Sequence, residues 1–312
     1  MCSSDLAETQ NACGVHSECL PEIRLTHEKP AKGTVVLVHG LTANPMHMRD
    51  LASKLQSSGY NVVLPILTGH GGGDVLLENA ALREWKKDIE FAGNIAERLG
   101  EPLFLMGHST GGVISALEAA AHPGKYKAFI GLDPALNLDG EQRALFDNLC
   151  IGSKIWTFPR ELPLLLQKPD EVVNIPDIGQ CLLPRSAEPA LAQAVEGLRV
   201  KMMVRKFCGE EFAVPRFNYE FTLSALCALK NATMEMNSRK MARLPPSLLL
   251  LSKDSNVFGY ISKEKLLKVS SERPTDKVME SQAPFHGLMV ASCSPGFEPS
   301  MQEAIEWLNS HR

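Results

Sequence analysis

Residues 102–112 read PLFLMGHSTGG. The opening PLFLM is a short apolar run of the kind that forms a fully buried strand. From Thr110 to Ala121 the sequence TGGVISALEAAA favours a helix, ending just before His122-Pro123. Between strand and helix lies Gly107-His108-Ser109-Thr110-Gly111, a G-x-S-x-G pattern. The pattern alone is common by chance; a strand directly before it and a helix directly after it give it meaning. So abrupt a turn lifts the serine hydroxyl clear of the strand end. Glycines at 107 and 111 let neighbouring backbones come close. The helix N-terminus behind the serine favours negative charge developing there. Ser109 is the candidate nucleophile.

The same alternation continues on both sides. Thr34 to Val38 (TVVLV) reads as a buried strand, and Met46 to Ser58 as an amphipathic helix stopped by Gly59. Asn61 to Pro65 (NVVLP) is the next strand, and Leu82 to Leu99 a long helix closed by Gly100. Lys127 to Leu132 (KAFIGL) follows the serine helix as a further strand. Strands alternating with helices in this way predict an α/β fold, a mostly parallel sheet with helices on both faces. From about Leu138 to Arg243 the alternation stops, prolines cluster between Pro159 and Pro215, and apolar runs recur among them. The scaffold resumes with Ser247 to Ser252 (SLLLLS), a strand within Thr275 to Glu280, and a last helix over Pro299 to Ser310. The expected organisation is a polar lead-in over 1–30, a core made of 31–137 and 244–312, and a mainly helical cap insertion over 138–243.

Composition bounds the function classes. The chain has 312 residues, 44% apolar and 22% charged, with a formal net charge of -4, as an ordinary globular protein has. No basic stripe stands out, which argues against nucleic acid as a partner. No run of eighteen apolar residues suggests a membrane span. A cytoplasmic location is the default expectation. The alternative is an exported lipoprotein, because Met1-Cys2-Ser3-Ser4 looks like a processed lipoprotein start, and membrane contact would then depend on lipid at Cys2. The eight cysteines leave the compartment open, although Cys13 and Cys19 are close enough to form a small disulfide loop in an exported chain. The glycines at 71–73 are not a phosphate loop, since no Gly-Lys-Ser/Thr follows, and no dinucleotide fingerprint is present. No cofactor and no metal are expected; His39, His70 and His108 read as structural.

A nucleophilic serine needs a base, and the base needs an orienting acid. Downstream of Ser109 the histidines are His122, His286 and His311. His122 stands past the far end of the serine helix, roughly 20 Å away at 1.5 Å per residue. His311 is next to the terminus. His286, in Pro284-Phe285-His286-Gly287, is left as the base.

His39-Gly40-Leu41-Thr42, Gly69-His70-Gly71 and Gly107-His108-Ser109-Thr110-Gly111-Gly112 together resemble the serine α/β-hydrolase superfamily, closest in motif to monoacylglycerol lipases and bacterial carboxylesterases. The resemblance covers Thr34 to Ala135 and Ser247 to the C-terminus. It implies the α/β-hydrolase fold, the chain order serine, acid, histidine, and an oxyanion hole from the backbone N–H groups of Leu41 and Thr110. It places the acid at Asp254, after strand Ser247 to Ser252; the rival is Asp133, at the end of the preceding strand, where some lipases carry it. Glu264 and Asp276 are weaker candidates, expected as solvated surface charges. The implied activity is hydrolysis of carboxylic esters with apolar acyl chains, through an acyl-enzyme. The implied partner is a small, lipid-like ester; oligomeric state is not indicated. Thioesterase, amidase or acyltransferase chemistry on the same triad is the alternative, and a non-catalytic binding protein of this fold is the reading from another class.

Overall fold

The computed structural model describes residues 15, 17–41, 43–71, 81–136, 223–236, 238–253, 273–284 and 286–312. Seven strands among them form one sheet: β1 (Glu22–Arg24), β2 (Thr34–Val38), β3 (Asn61–Leu64), β4 (Leu103–His108), β5 (Tyr126–Leu132), β6 (Ser247–Leu251) and β7 (Lys277–Glu280). Their order is β1-β3-β2-β4-β5-β6-β7. Only β1 runs antiparallel, against β3; the other neighbours are parallel.

The central strands are apolar throughout because both faces are covered. Along β2 the side chains alternate: Val36 and Val38 enter one core, Val35 and Leu37 the other. Strand β4 splits likewise, Leu105 to the first and Phe104 with Met106 to the second. The first core is closed by α2 (Leu82–Leu99), α3 (Thr110–Ala121) and α4 (Leu223–Glu235). The second is closed by α1 (Arg49–Ser57) and, beyond the short helix α5 (Ser238–Met241), by α6 (Phe297–Ser310). Helix α2 turns Trp85, Ile89, Ala92 and Ala96 inward, at the three- and four-residue spacing of one helical face. Helix α3 is buried almost all round, and its small residues allow close approach to the sheet on one side and to α2 and α4 on the other.

Two features of the ends differ from the sequence expectation. The lead-in over 1–30 contributes β1, whose Glu22 pairs with Arg24 (2.8 Å) and with Arg49 of α1 (2.5 Å). At the other boundary, α4 falls within the stretch assigned to the cap, yet its Ala225, Ala228, Leu229 and Ala232 belong to the first core. Thr233 on α4 also donates a hydrogen bond to the Ala135 carbonyl (3.0 Å). Most of the expected cap, 138–222, lies outside the described residues.

Candidate active site

Strand β4 enters the turn at Ser109, whose φ of 52° and ψ of −117° fall where a side chain is seldom tolerated. The neighbours hold it there. Ser109 N–H donates to the Leu132 carbonyl (3.0 Å), and the Ser109 carbonyl accepts from Gly112, Val113 and Ala135. The flanking glycines are needed for contact: a methyl group at Gly107 would stand 2.4 Å from the Gly111 carbonyl oxygen. One at Gly111 would stand 2.4 Å from the carbonyl oxygens of both Val38 and His39. The elbow is thus wedged against the end of β2.

The loop after β2 is fixed by two buried histidines. His39 Nε2 accepts from the Leu67 N–H (3.1 Å), so its proton lies on Nδ1, which donates to the Gly40 carbonyl (2.8 Å). Burial, followed by the neighbouring His70, pushes His39 well below the ordinary histidine range and keeps it neutral. His70 has carbonyl oxygens at both ring nitrogens, Leu41 at 2.6 Å from Nε2 and Leu67 at 3.0 Å from Nδ1. Two carbonyls favour a second proton, but burial outweighs them and lowers His70 to about 4. The neutral ring carries one proton, best used on Nε2 at the shorter contact, and it thereby holds the Leu41 peptide. His70 is braced edge-on by His39 (4.8 Å between ring centroids), and tilted against Trp85 (5.9 Å). Gly40 itself runs close to the elbow, since a methyl group there would be 3.3 Å from Ser109 Cβ and 3.1 Å from His108 Nδ1. Leu41 therefore follows immediately beside the nucleophile, and Thr110, at the first turn of α3, carries an N–H that no intrahelical carbonyl can accept.

His286 begins a short 3-10 turn after β7 and is buried. His108 Nε2 donates to the His286 carbonyl (3.1 Å), and the two rings lie tilted by 34° with centroids 4.5 Å apart. The residue before the nucleophile thus holds the candidate base by its backbone. Burial first, and then His286, pushes His108 well below its ordinary value, so it is a neutral donor. His286 Nδ1 faces the Asp133 carboxylate, 3.4 Å from Oδ2. Asp254 lies outside the described residues, as does Glu264. Asp276 is not the surface charge expected of it. Its carboxylate is buried at the start of β6, accepting from Ser247 N–H (3.2 Å) and pairing with Arg273 (3.2 Å). Burial raises it, and it stands at the end of the sheet opposite Ser109. Chain reading treated His70 and His108 as structural and missed what they hold, because their partners are 29 and 178 residues away.

The family described as serine aminopeptidase, S33, matches residues 29–277, which carry the elbow, the β2 loop and every strand from β2 to the start of β7. The chain belongs to that family, with the α/β-hydrolase fold. Among curated relatives of this S33 chain, the thermostable monoacylglycerol lipase of Bacillus sp. (strain H-257) is 35% identical over 89 residues, 28% of this chain and 36% of that one. The monoacylglycerol lipase of Mycolicibacterium smegmatis is 30% identical over 115 residues, 36% of this chain and 41% of that one. The chain thus spans well under half the length of the curated relatives it matches. The solved structure of Paleococcus ferrophilus monoacylglycerol lipase superposes with a TM-score of 0.63 at 22% identity, over 94% of this chain and 98% of that chain. Among the described residues, no group of three or more histidine, cysteine and acidic side chains could hold a metal ion.

Proposed function

We propose that this protein is a serine hydrolase of carboxylic esters with apolar acyl chains, of the monoacylglycerol lipase kind. The observation that carries the reading is Ser109 held on a strained strand-to-helix turn, with His286 fastened to the residue before it. In this reading His286 Nε2 removes the Ser109 proton as Oγ attacks the ester carbonyl. The backbone N–H groups of Leu41 and Thr110 receive the oxyanion, each lowering the barrier by about 3 kcal/mol. The alcohol leaves with the proton from His286, and water clears the acyl-enzyme by the same roles in reverse. His39 and His70 serve by keeping the Gly40 and Leu41 peptides in place.

The relatives' names support the ester, and the family's description keeps amide hydrolysis as the second reading. One experiment separates them: p-nitrophenyl and glycerol esters of graded acyl length beside aminoacyl-nitroanilides, with Ser109→Ala as control. Esters should turn over faster and anilides poorly. Activity should rise from acetyl towards octanoyl, because each methylene leaving water for an apolar pocket gains up to about 0.8 kcal/mol. Ser109→Ala should lower kcat by four to six powers of ten, roughly the loss expected when a triad serine is removed. A variant that kept most of its activity would end the proposal; a flat or falling acyl series would end the acyl-pocket part alone.

For location, the exported reading is preferred to the cytoplasmic default. Cys227, on α4, and Cys293 are disulfide-bonded, and disulfides persist mainly in oxidising compartments. No described helix is long and apolar enough to cross a membrane; Cys2, the candidate lipid attachment, lies outside the described residues. Mass spectrometry of the native N-terminal peptide and of alkylated cysteines tests this. Reduced Cys227 and Cys293 in a cytosolic fraction would overturn it.

A further inference from the structure

We propose that Asp88, on α2, is a positioning residue for the oxyanion hole: it clamps Thr68, and through the segment 67–70 it fixes the peptides of Gly40 and Leu41. The inference rests on the serine-hydrolase reading and goes beyond it, to a carboxylate whose hydrogen bonds all go to Thr68 and none to the nucleophile or the β2 loop.

The segment after β3 is the support on which both buried histidines lean. The Leu67 N–H meets His39 Nε2 (3.1 Å), and His70 reaches the Leu41 carbonyl (2.6 Å). The His70 N–H also donates to the Leu67 carbonyl (3.0 Å), so the two supports move together. Thr68 lies between them, and α2 takes up its polar groups. Its N–H donates to Asp88 Oδ2 (2.6 Å), and its hydroxyl donates to Asp88 Oδ1 (3.1 Å). Its carbonyl accepts from the Trp85 indole N–H (3.0 Å). Trp85 and Asp88 are three residues apart and so share one face of the helix. Trp85 is fully buried, and its ring also lies against His70. Helix α2 packs in turn on α3, the helix that begins behind Ser109. Both oxyanion donors are thereby referred to one rigid element: Thr110 through α3, and Leu41 through Thr68 and His70.

The charge of Asp88 serves this grip rather than an ion pair. Lys87, next to it, pairs with Glu84 instead. Burial, the first influence, raises the Asp88 carboxyl, although the two Thr68 donors pull the other way. Its ionised form at neutral pH is therefore kept at a cost to the fold. What the contact supplies is direction. One hydrogen bond leaves a swivel; two bonds to the two oxygens of one carboxylate fix both position and orientation. An oxyanion hole acts only if its donors already point where charge develops, and a displacement of about 1 Å can cost about a hundredfold in rate. Trp85 grips the same residue, but as a core side chain its loss would disturb the whole of α2, so Asp88 is where the role can be tested.

The test compares wild type, Asp88→Asn, Asp88→Ala and Asp276→Asn, the last being the same change in a buried carboxylate at the far end of the sheet. Each is assayed on p-nitrophenyl butyrate and on its thionoester, in which sulfur replaces the carbonyl oxygen. Sulfur is larger and a poorer acceptor, so the ratio of the two rates reads the oxyanion hole itself. Asp88→Asn keeps one acceptor and should lower kcat on the oxygen ester about tenfold, and Asp88→Ala keeps none and should lower it about a hundredfold, with KM little changed. The oxygen-to-sulfur ratio should fall in the same order, while Tm moves little. Asp276→Asn should keep the wild-type kcat and ratio. A kcat in Asp88→Ala within a few-fold of wild type, a loss that leaves the ratio unchanged, or an equal loss in Asp276→Asn would overturn the proposal. Should Asp88→Ala fail to fold, Asp88→Asn decides by the same two measurements. Hydrogen exchange over 67–70, followed by mass spectrometry, reads the clamp directly: it should quicken in the Asp88 variants, and an unchanged rate would overturn the proposal. A wild-type chain that hydrolyses no ester and takes no serine-directed phosphonate would refute the hydrolase reading itself, while the exchange comparison would still judge the clamp.

Discussion

Acidification should destabilise this protein through its buried histidines, in a window set by their neutral burial. His70 ordinarily protonates near 6.5, as it would in the unfolded chain, but burial lowers it to about 4 in the fold. Because the folded value is the lower one, the unfolded state binds protons first as pH falls. Stability is intact above about pH 6.5 and is lost on the way down to about pH 4. At pH 4.5 the unfolded histidine is almost fully charged and the folded one about a quarter charged, a difference of about 2.5 kcal/mol for His70 alone. His47 is lowered to about 4 as well, by burial, but it is only part-buried by its exposed surface and should contribute less. His39 and His108 act in the same direction. The carboxyls of Asp88 and Asp276 oppose them: burial raises both, so each favours the folded state as it protonates, at the acid end of the range. Against a total stability of about 5–15 kcal/mol, the loss from His70 alone is a sizeable share and should lower Tm by about 4 °C in a chain of 312 residues. Calorimetry from pH 7.5 to 4.5 measures it directly. His70→Gln keeps a donor for the Leu41 carbonyl without titrating. It should be weaker at neutral pH and lose about 1.1 kcal/mol less per pH unit between pH 6 and 4.5. A wild-type Tm that stays flat over that range, or a His70→Gln profile parallel to wild type, would refute the reasoning.

The remaining predictions concern the elbow. Gly111→Ala forces a methyl group to 2.4 Å from the carbonyl oxygens of Val38, the last residue of β2, and of His39 just beyond it. It should cost at least about 1–3 kcal/mol as an overpacked core and reduce kcat by moving β2 and its loop off the nucleophile, read by denaturant unfolding and ester assay together. His108→Ala removes the donor to the His286 carbonyl and the ring that packs against His286. It should lower kcat roughly ten- to a hundredfold, as a base left loosely placed does, with KM little altered; a kcat at the wild-type level would show that His286 needs no such anchor.

Much of the scaffold was legible because its strands are covered on both faces. TVVLV, PLFLM and SLLLL are continuous apolar runs, and they lie at β2, β4 and β6. Helices α2 and α3 start and stop where Gly100 and His122-Pro123 suggest. The ends were harder. Strand β1 is three residues, EIR, too short and too polar to show alternation, and what holds it is the pairing of Ile23 with Val63 and of Glu22 with Arg49. Helix α4 follows a long stretch without strand-helix alternation, and only its packing on α2 and α3 joins it to the core.

The candidate site divides along the same line. Ser109 could be read from eleven consecutive residues, because a strand, two glycines and a helix are local properties of the chain. Elimination among three histidines led to His286, without any indication of how it is held. Neither the meeting of Asp133 with His286 nor the service of His70 and His108 could be read that way. Each depends on which strand ends are neighbours and which lone pair is already taken. Ser252 N–H occupies one oxygen of Asp133, turning the other to His286, 153 residues further along the chain. Local chemistry follows from the order of residues; distances of 3 Å between strand ends exist only once the sheet is assembled.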